Sequence, residues 1–145
     1  MAGSLLLGTG ALVSLLDRDQ RDHGPCIRFF ETWSGPVLST EAVFTEATHL
    51  LGRTRGGRPA CIDFFLAGGA ALVPATPGSL RRARKLIEQY ASLPMDDADA
   101  TLVALAEEAV PISCSRRTAG TSPCTGSVAA GAGSFPTELL TSPHR

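Results

Sequence analysis

Short apolar runs alternate with amphipathic stretches along the first 110 residues. Short apolar runs within residues 4–7 and 71–74 predict two short buried strands. Elsewhere apolar residues recur at helical spacing, and this pattern predicts helices over residues 11–16, 25–33, 41–51, 59–66, 77–90 and 96–109. Strands separated by helices indicate an α/β protein with a parallel sheet and helices packed on its faces.

Breaking and capping residues mark the ends of these elements. Gly35-Pro36 ends the second helix, and Val37-Leu38 then leads into Ser39-Thr40, which is expected to cap the third. Thr76-Pro77 supplies a cap and a first-turn proline to the fifth helix. The apolar face expected on that helix is made of Leu80, Ala83, Leu86, Ile87 and Tyr90.

The periodic pattern stops after residue 110. Residues 111–145 are rich in Ser, Thr, Gly, Ala and Pro and carry no periodic apolar face, which is typical of a disordered segment. We therefore predict one domain over residues 1–110, followed by a divergent tail over residues 111–145. A compact α/β domain is expected to place a closing strand where this tail begins, and the tail offers no convincing one.

Charge and cysteine usage narrow the function classes. The formal net charge is −1, which excludes a strongly basic nucleic-acid-binding protein of the usual kind. The four cysteines form no CxxC pair, so we interpret them as free thiols in a reducing compartment. The run Leu5-Leu6-Leu7 is far too short to span a membrane. We therefore expect no membrane association and a cytoplasmic location.

Three acids, Asp96, Asp97 and Asp99, lie at the start of the sixth predicted helix. A helix N-terminus favours nearby anions by roughly 0.3–1 kcal/mol each, so capping accounts for one or two of them. Asp96 at the cap and Asp99 three residues later would satisfy the free N–H groups of the first turn. A cation site is the alternative, and both remain open from these residues alone.

Three segments together resemble the PIN domain in its VapC-type toxin branch. They are LGTGALV at residues 7–13, VLSTEAVFTEA at 37–47 and LPMDDADA at 93–100, and the resemblance extends over about residues 5–108. It implies a three-layer α/β/α sandwich with a short, mostly parallel sheet. It also implies a small metal-dependent endoribonuclease, the toxin half of a toxin–antitoxin pair.

The resemblance also implies a metal site. Members of the family gather about four carboxylates around Mg²⁺ or Mn²⁺, hard cations that prefer oxygen ligands. Glu46 corresponds to the second acid and Asp99 to the third, so both are expected to be catalytic metal ligands, with Asp96 in support. Thr9 corresponds to a hydroxyl position beside the metal. A solvent-facing role is the alternative for Glu46, and helix capping for Asp99 and Asp96.

Two departures from the family pattern predict impaired catalysis. Gly8 stands where the family has its first acid, although a simple turn glycine is the alternative. The fourth acid is absent, and residues 113–126 depart from the closing motif in a way that a shifted reading frame would explain. A catalytically inactive remnant that only binds an antitoxin or RNA is therefore the second hypothesis.

Partners follow from the same resemblance. RNA is the implied substrate, and Arg53, Arg55 and Arg58 in the basic glycine-rich loop are candidates for contact with its backbone, a solvated loop being the alternative. A cognate antitoxin and a homodimer are also implied. Apolar residues that could serve partner contacts, with core packing as the alternative, are Phe29, Phe30, Trp33 and Phe44.

Overall fold

The structure, a computed structural model, describes residues 3–109. Over this range three parallel strands form one sheet in the order β1-β2-β3. The strands are β1 (Leu5–Leu6), β2 (Val37–Thr40) and β3 (Ala71–Val73). Leu5 is in register with Val37, and Leu38 with Ala71. The predicted parallel sheet is confirmed, and β2 adds a strand where the sequence indicated only a lead-in to the third helix.

All six predicted helices are present in the described part of the chain. They are α1 (Thr9–Leu16), α2 (His23–Thr32), α3 (Glu41–Leu50), α4 (Gly57–Leu66), α5 (Pro77–Gln89) and α6 (Asp97–Ala109), with a 3₁₀ turn at Leu51–Arg53. The expected starts of α2 and α4 at their prolines were wrong by two residues. Proline has no N–H to donate and fits inside a first turn. The first turn of α2 therefore already closes at Cys26, whose N–H donates to the carbonyl of Asp22.

Side-chain caps fix the starts of α3 and α5 as predicted. The Thr40 hydroxyl accepts a hydrogen bond from the N–H of Val43, at 3.3 Å. Thr76 and Ser79 form a reciprocal capping box, with Pro77 in the first turn of α5. Helices α1 and α3 each begin shortly after a parallel strand ends, so both helix starts lie at the carboxyl edge of the sheet.

The buried side chains form two clusters. The larger one joins the first four helices to the sheet, and its fully buried members include Leu12, Val43, Ala47, Leu51 and Cys61. Phe30 and Trp33 also lie in it, so core packing holds for these two aromatics, whereas Phe29 is 42% exposed. The smaller cluster joins α5 to α6 through Ala83, Leu86, Ala100 and Ala104.

Burial on α5 and β3 is lower than their apolar content suggests. On the apolar face of α5 only Ala83 and Leu86 are buried, because α5 packs mainly against α6. The other apolar residues of this face, Leu80, Ile87 and Tyr90, are exposed. Strand β3 was expected to be buried, but Leu72 is 39% exposed. Over residues 3–109, β3 is an edge strand, paired with β2 on one side.

Some expectations lie outside the described residues. These are the disordered tail over 111–145, the altered closing strand and the shifted reading frame. In the part of the chain that the structure covers, no helix has the length and apolar character needed to cross a membrane.

Candidate functional site

Thr9 and Glu46 meet at the carboxyl edge of the sheet. Thr9 is the first residue of α1, and Glu46 lies in the middle of α3. The Thr9 hydroxyl donates to the Glu46 carboxylate, Oγ1 to Oε2, at 2.6 Å. Glu46 is half-buried rather than on the open solvent face of its helix. Ligands of parallel sheets gather at this edge, so the hydrogen-bonded pair of Thr9 and Glu46 lies where chemistry is expected.

A pair of threonine hydroxyls joins the start of α3 to α6. The Thr101 hydroxyl donates to the carbonyl of Ala98 at 2.9 Å, and the oxygens of Thr101 and Thr40 are 3.0 Å apart. Since the Thr101 proton is already engaged, Thr40 donates to Thr101, while accepting from the N–H of Val43. Both threonines are buried. This contact could not be predicted from the sequence, because two threonines that are 61 residues apart share no local pattern.

The acids at the start of α6 divide between two roles. The N–H of Asp99 donates to the Asp96 carboxylate at 2.9 Å, so Asp96 caps the helix, as one of its two readings predicted. Partial burial raises the pKa of the Asp99 carboxyl, and the negative charges of Asp96 and Glu46 raise that pKa further.

The donor set fits a divalent cation only in part. Over residues 3–109 no group of three Asp, Glu, His or Cys side chains is arranged to hold a metal ion, so Glu46, Asp99 and Asp96 do not form a three-ligand site. Mg²⁺ is commonly held by one or two carboxylates while it keeps several waters. Glu46 and Asp99 supply two carboxylates on α3 and α6, helices that pack against each other, and two is the number of carboxylates that such a site needs.

The backbone at Gly8 does not require glycine. Its φ of −87° and ψ of 170° are extended values that any residue adopts, so the turn from β1 to α1 does not itself need a glycine at this position. Gly8 occupies the cap position of α1, where no side chain caps the helix. A Cβ added there would lie 3.2 Å from Cδ2 of Leu102, which follows Asp99 by about one turn of α6. A side chain at position 8 would therefore point toward the helix that carries Asp99.

An acidic cavity of about 690 Å³ adjoins Glu46. Helices α3 and α6 and the segment after β3 line it, and its charged or titratable residues are Glu41, Glu46, His49, Asp96, Asp97 and Glu108. No lysine or arginine from residues 3–109 is among the lining side chains. Nothing in the local sequence pattern around His49 indicates that it lines this cavity. Such a cavity favours cationic groups and disfavours bare phosphates.

The predicted arginines lie elsewhere. Arg53, Arg55 and Arg58 are all exposed, between the end of α3 and the first turn of α4. Seven residues separate Arg53 from Glu46, which at about 1.5 Å per helical residue is roughly 10 Å along the axis. The structure therefore does not bring these arginines into the cavity beside the carboxylates.

Comparison with known proteins gives one kind of match. No family model matches this sequence, and no curated protein is detectably similar to it. Among solved structures, the fold is similar to that of Mycobacterium tuberculosis VapC20, described as a sarcin–ricin loop cleaving toxin. The TM-score is 0.65 at 20% sequence identity, over 71% of this chain and 81% of that one. The chain thus has the fold of a VapC-type toxin, which confirms the PIN-like α/β architecture that the resemblance predicted.

Proposed function

We propose that this chain is a metal-dependent endoribonuclease that hydrolyses RNA phosphodiester bonds, as the toxin component of a toxin–antitoxin pair. The observation that carries the proposal is the hydrogen bond between Thr9 and Glu46 at the carboxyl edge of a VapC-type fold, with Asp99 on α6, the helix that packs against α3. The description of VapC20 as a toxin that cleaves the sarcin–ricin loop supports RNA as the substrate class. A cognate antitoxin, a homodimer and a cytoplasmic location belong to the same proposal.

Glu46 and Asp99 would hold Mg²⁺ or Mn²⁺. When bound, such a cation stabilises charge on the phosphate and makes water more acidic. The Thr9 hydroxyl fixes the rotamer of the Glu46 carboxylate through their 2.6 Å hydrogen bond. Asp96 keeps the first turn of α6 formed beneath Asp99. These hydrogen bonds fix the Glu46 side chain and the helix start that carries Asp99, and such preorganisation favours ligand binding.

Position 8 limits the metal affinity expected of this site. Glycine supplies no carboxylate there, and residues 3–109 contain no three-carboxylate group. These two observations favour the second candidate, a remnant that binds an antitoxin or RNA without cutting it. For an active enzyme they imply weak metal affinity and slow cleavage.

Cleavage of a labelled RNA that contains a stem-loop, with and without Mg²⁺, tests the proposal. We expect slow, Mg²⁺-dependent cleavage by the natural chain and none by Glu46→Gln, which also controls for contaminating nuclease. Gly8→Asp should increase the rate and lower the Mg²⁺ concentration for half-maximal activity. Gly8→Asn is the matched control, because it meets Leu102 equally but adds no charge.

Each result has a defined meaning. Equal rates for Gly8→Asp and Gly8→Asn would show that position 8 is not a missing metal ligand. If the folded natural chain and Gly8→Asp both fail to cleave, while Mg²⁺ leaves the melting temperature of each unchanged, the enzyme proposal is wrong. The remnant hypothesis would then stand.

A further inference from the structure

Two polar loops lie together at the end of α1 and α3 that is remote from the carboxylates. Both helices start at the carboxyl ends of the paired strands β1 and β2, and the bond from Thr9 to Glu46 fixes their relative height. Helix α1 has eight residues, so at about 1.5 Å per residue its end lies roughly 12 Å from Thr9. Residues 17–22 follow that end, and residues 54–56 follow the 3₁₀ turn after α3.

The Asp17 carboxylate braces these two loops. It is 8% exposed and accepts hydrogen bonds from Gln20 Nε2 at 2.8 Å and from the N–H of Asp19 at 3.1 Å. The hydrogen bond from Gln20 holds the pKa of this carboxyl below its usual value, and hydrogen bonds from Asp19 and from the Thr54 side chain act in the same direction. The buried carboxylate thus holds the loop after α1 through two hydrogen bonds, and it lies beside Thr54 in the loop after α3.

The braced loops present arginines to solvent. We call Arg18, Arg21, Arg53 and Arg55 the arginine surface; all four are exposed. Among residues 3–109 none of the four forms an ion pair, since both salt bridges there are made by arginines of α5. The exposed acids in the same loops are Asp19 and Asp22. With Asp17 engaged in the brace, cationic groups outnumber free carboxylates here.

Arg58 adds to this cationic excess. A Cβ at Gly52 would come within 2.6 Å of the Arg58 guanidinium, so the absence of a side chain at Gly52 lets Arg58 lie across the 3₁₀ turn. The guanidinium therefore remains beside the arginine surface and adds positive charge to it. Guanidinium groups match phosphate oxygens in geometry and stay charged at every relevant pH.

We propose that the arginine surface binds backbone phosphates of single-stranded RNA that flank the cleaved bond, with Asp17 as its positioning residue. The proposal rests on the proposed function for its substrate class. Without a bound cation the carboxylates that line the cavity repel phosphates, so we expect cationic groups elsewhere on the chain to contribute affinity for RNA. A separation of roughly 10–12 Å from the carboxylates suits contact with neighbouring nucleotides rather than with the phosphate being cut.

Fluorescence anisotropy with a single-stranded oligouridylate, in EDTA and over a range of KCl concentrations, measures this binding without cleavage. For single strands, log K falls with log salt by about 0.7 per phosphate contact. Arg53→Gln/Arg55→Gln should therefore weaken binding and reduce the slope by about 1.4. Arg18→Gln/Arg21→Gln should do the same.

The matched control removes two positive charges from α5. Arg81 and Lys85 are exposed, form no ion pair within residues 3–109, and lie on a helix that packs against α6. Arg81→Gln/Lys85→Gln should leave the slope unchanged. An equal loss of slope in this control variant would show that the effect depends only on net charge. An affinity of Arg53→Gln/Arg55→Gln equal to that of the natural chain would show that the arginine surface does not bind RNA.

The role of the brace has its own test, at constant net charge. Thr54→Val removes a hydroxyl that supports Asp17, whereas Thr54→Ser keeps it. We expect Thr54→Val to reduce the salt slope and Thr54→Ser to restore it, with circular dichroism confirming that both are folded. Identical slopes for the two variants would contradict a positioning role for the brace.

Failure of this inference is distinguishable from failure of the enzyme proposal. Cleavage by the natural chain combined with unaltered binding by both arginine pairs would leave an enzyme without this surface. Binding that depends on the arginines, in a chain that never cleaves, would leave the surface without an enzyme.

Discussion

The hydroxyl pair between α3 and α6 allows a sharp test of how the two carboxylate-bearing helices are held together. Thr101→Val removes the acceptor of the Thr40 proton while leaving the Thr40 hydroxyl in place and buried. A buried donor without a partner costs about 1–3 kcal/mol of unfolding free energy. Thr40→Val removes the cap on Val43, which costs about 0.5–2 kcal/mol.

The double variant should be less destabilised than the sum of these losses. With both hydroxyls gone, no donor of the pair is left unpaired, and only the cap on Val43 is lost. We therefore expect a coupling free energy of about 1 kcal/mol or more in the cycle of Thr40→Val and Thr101→Val. Urea unfolding of the four proteins by circular dichroism, with linear extrapolation, measures it.

Thr32→Val is the matched control. Like Thr101, Thr32 donates to a carbonyl three residues earlier in its own helix, but it is exposed and joins no second helix. Its substitution should change the unfolding free energy by less than about 0.5 kcal/mol. If the two single changes at Thr40 and Thr101 add to within about 0.5 kcal/mol, the proton arrangement deduced for this pair is incorrect.

Further predictions concern stability. Gly57→Ala should be strongly destabilising in urea unfolding, since a Cβ there would come 2.3 Å from the Leu51 carbonyl oxygen. Gly10→Ala should instead stabilise the fold by about 0.4–1 kcal/mol, since a Cβ there would meet nothing within 4 Å. The reverse order of stabilities would contradict the packing of α4. Because the pKa of Asp17 is lowered in the folded chain, above all by Gln20, its carboxylate stabilises the fold above about pH 4, the unfolded pKa, and this contribution is lost as pH falls through the folded value. Melting temperatures from pH 7 down to pH 3 should therefore fall more steeply for the natural chain than for Asp17→Asn, and parallel curves would refute this.

Local signals were sufficient for most of the fold. Caps such as Thr40 and Thr76 act through bonds three residues away, so they can be recognised in the sequence and are found as expected. Strand β2 was missed because four residues ending in Ser39-Thr40 have too little apolar content to indicate a strand. Its identity depends on pairing with β1 and β3 on either side, which no local pattern records.

The candidate site was predictable only as far as the family resemblance reached. That resemblance singled out Glu46, Asp99 and Thr9, and the structure joins Thr9 to Glu46 directly. Asp17 could not be recognised, because the residues that follow it are polar and Thr54, which lies beside it in the fold, is 37 positions away in the sequence. Burial that comes from the meeting of two loops leaves no periodicity in either one.

The wide sequence separations within this fold bear on when the site comes into existence. Thr9 meets Glu46 across 37 residues, and Thr40 meets Thr101 across 61. Contacts between residues so far apart in the sequence form late in folding, because the entropy of closing a long loop is lost before the contact stabilises the chain. On a ribosome, the two carboxylates cannot be held together until α6 has been synthesised. We therefore expect the nascent chain to carry no assembled site during most of its own translation.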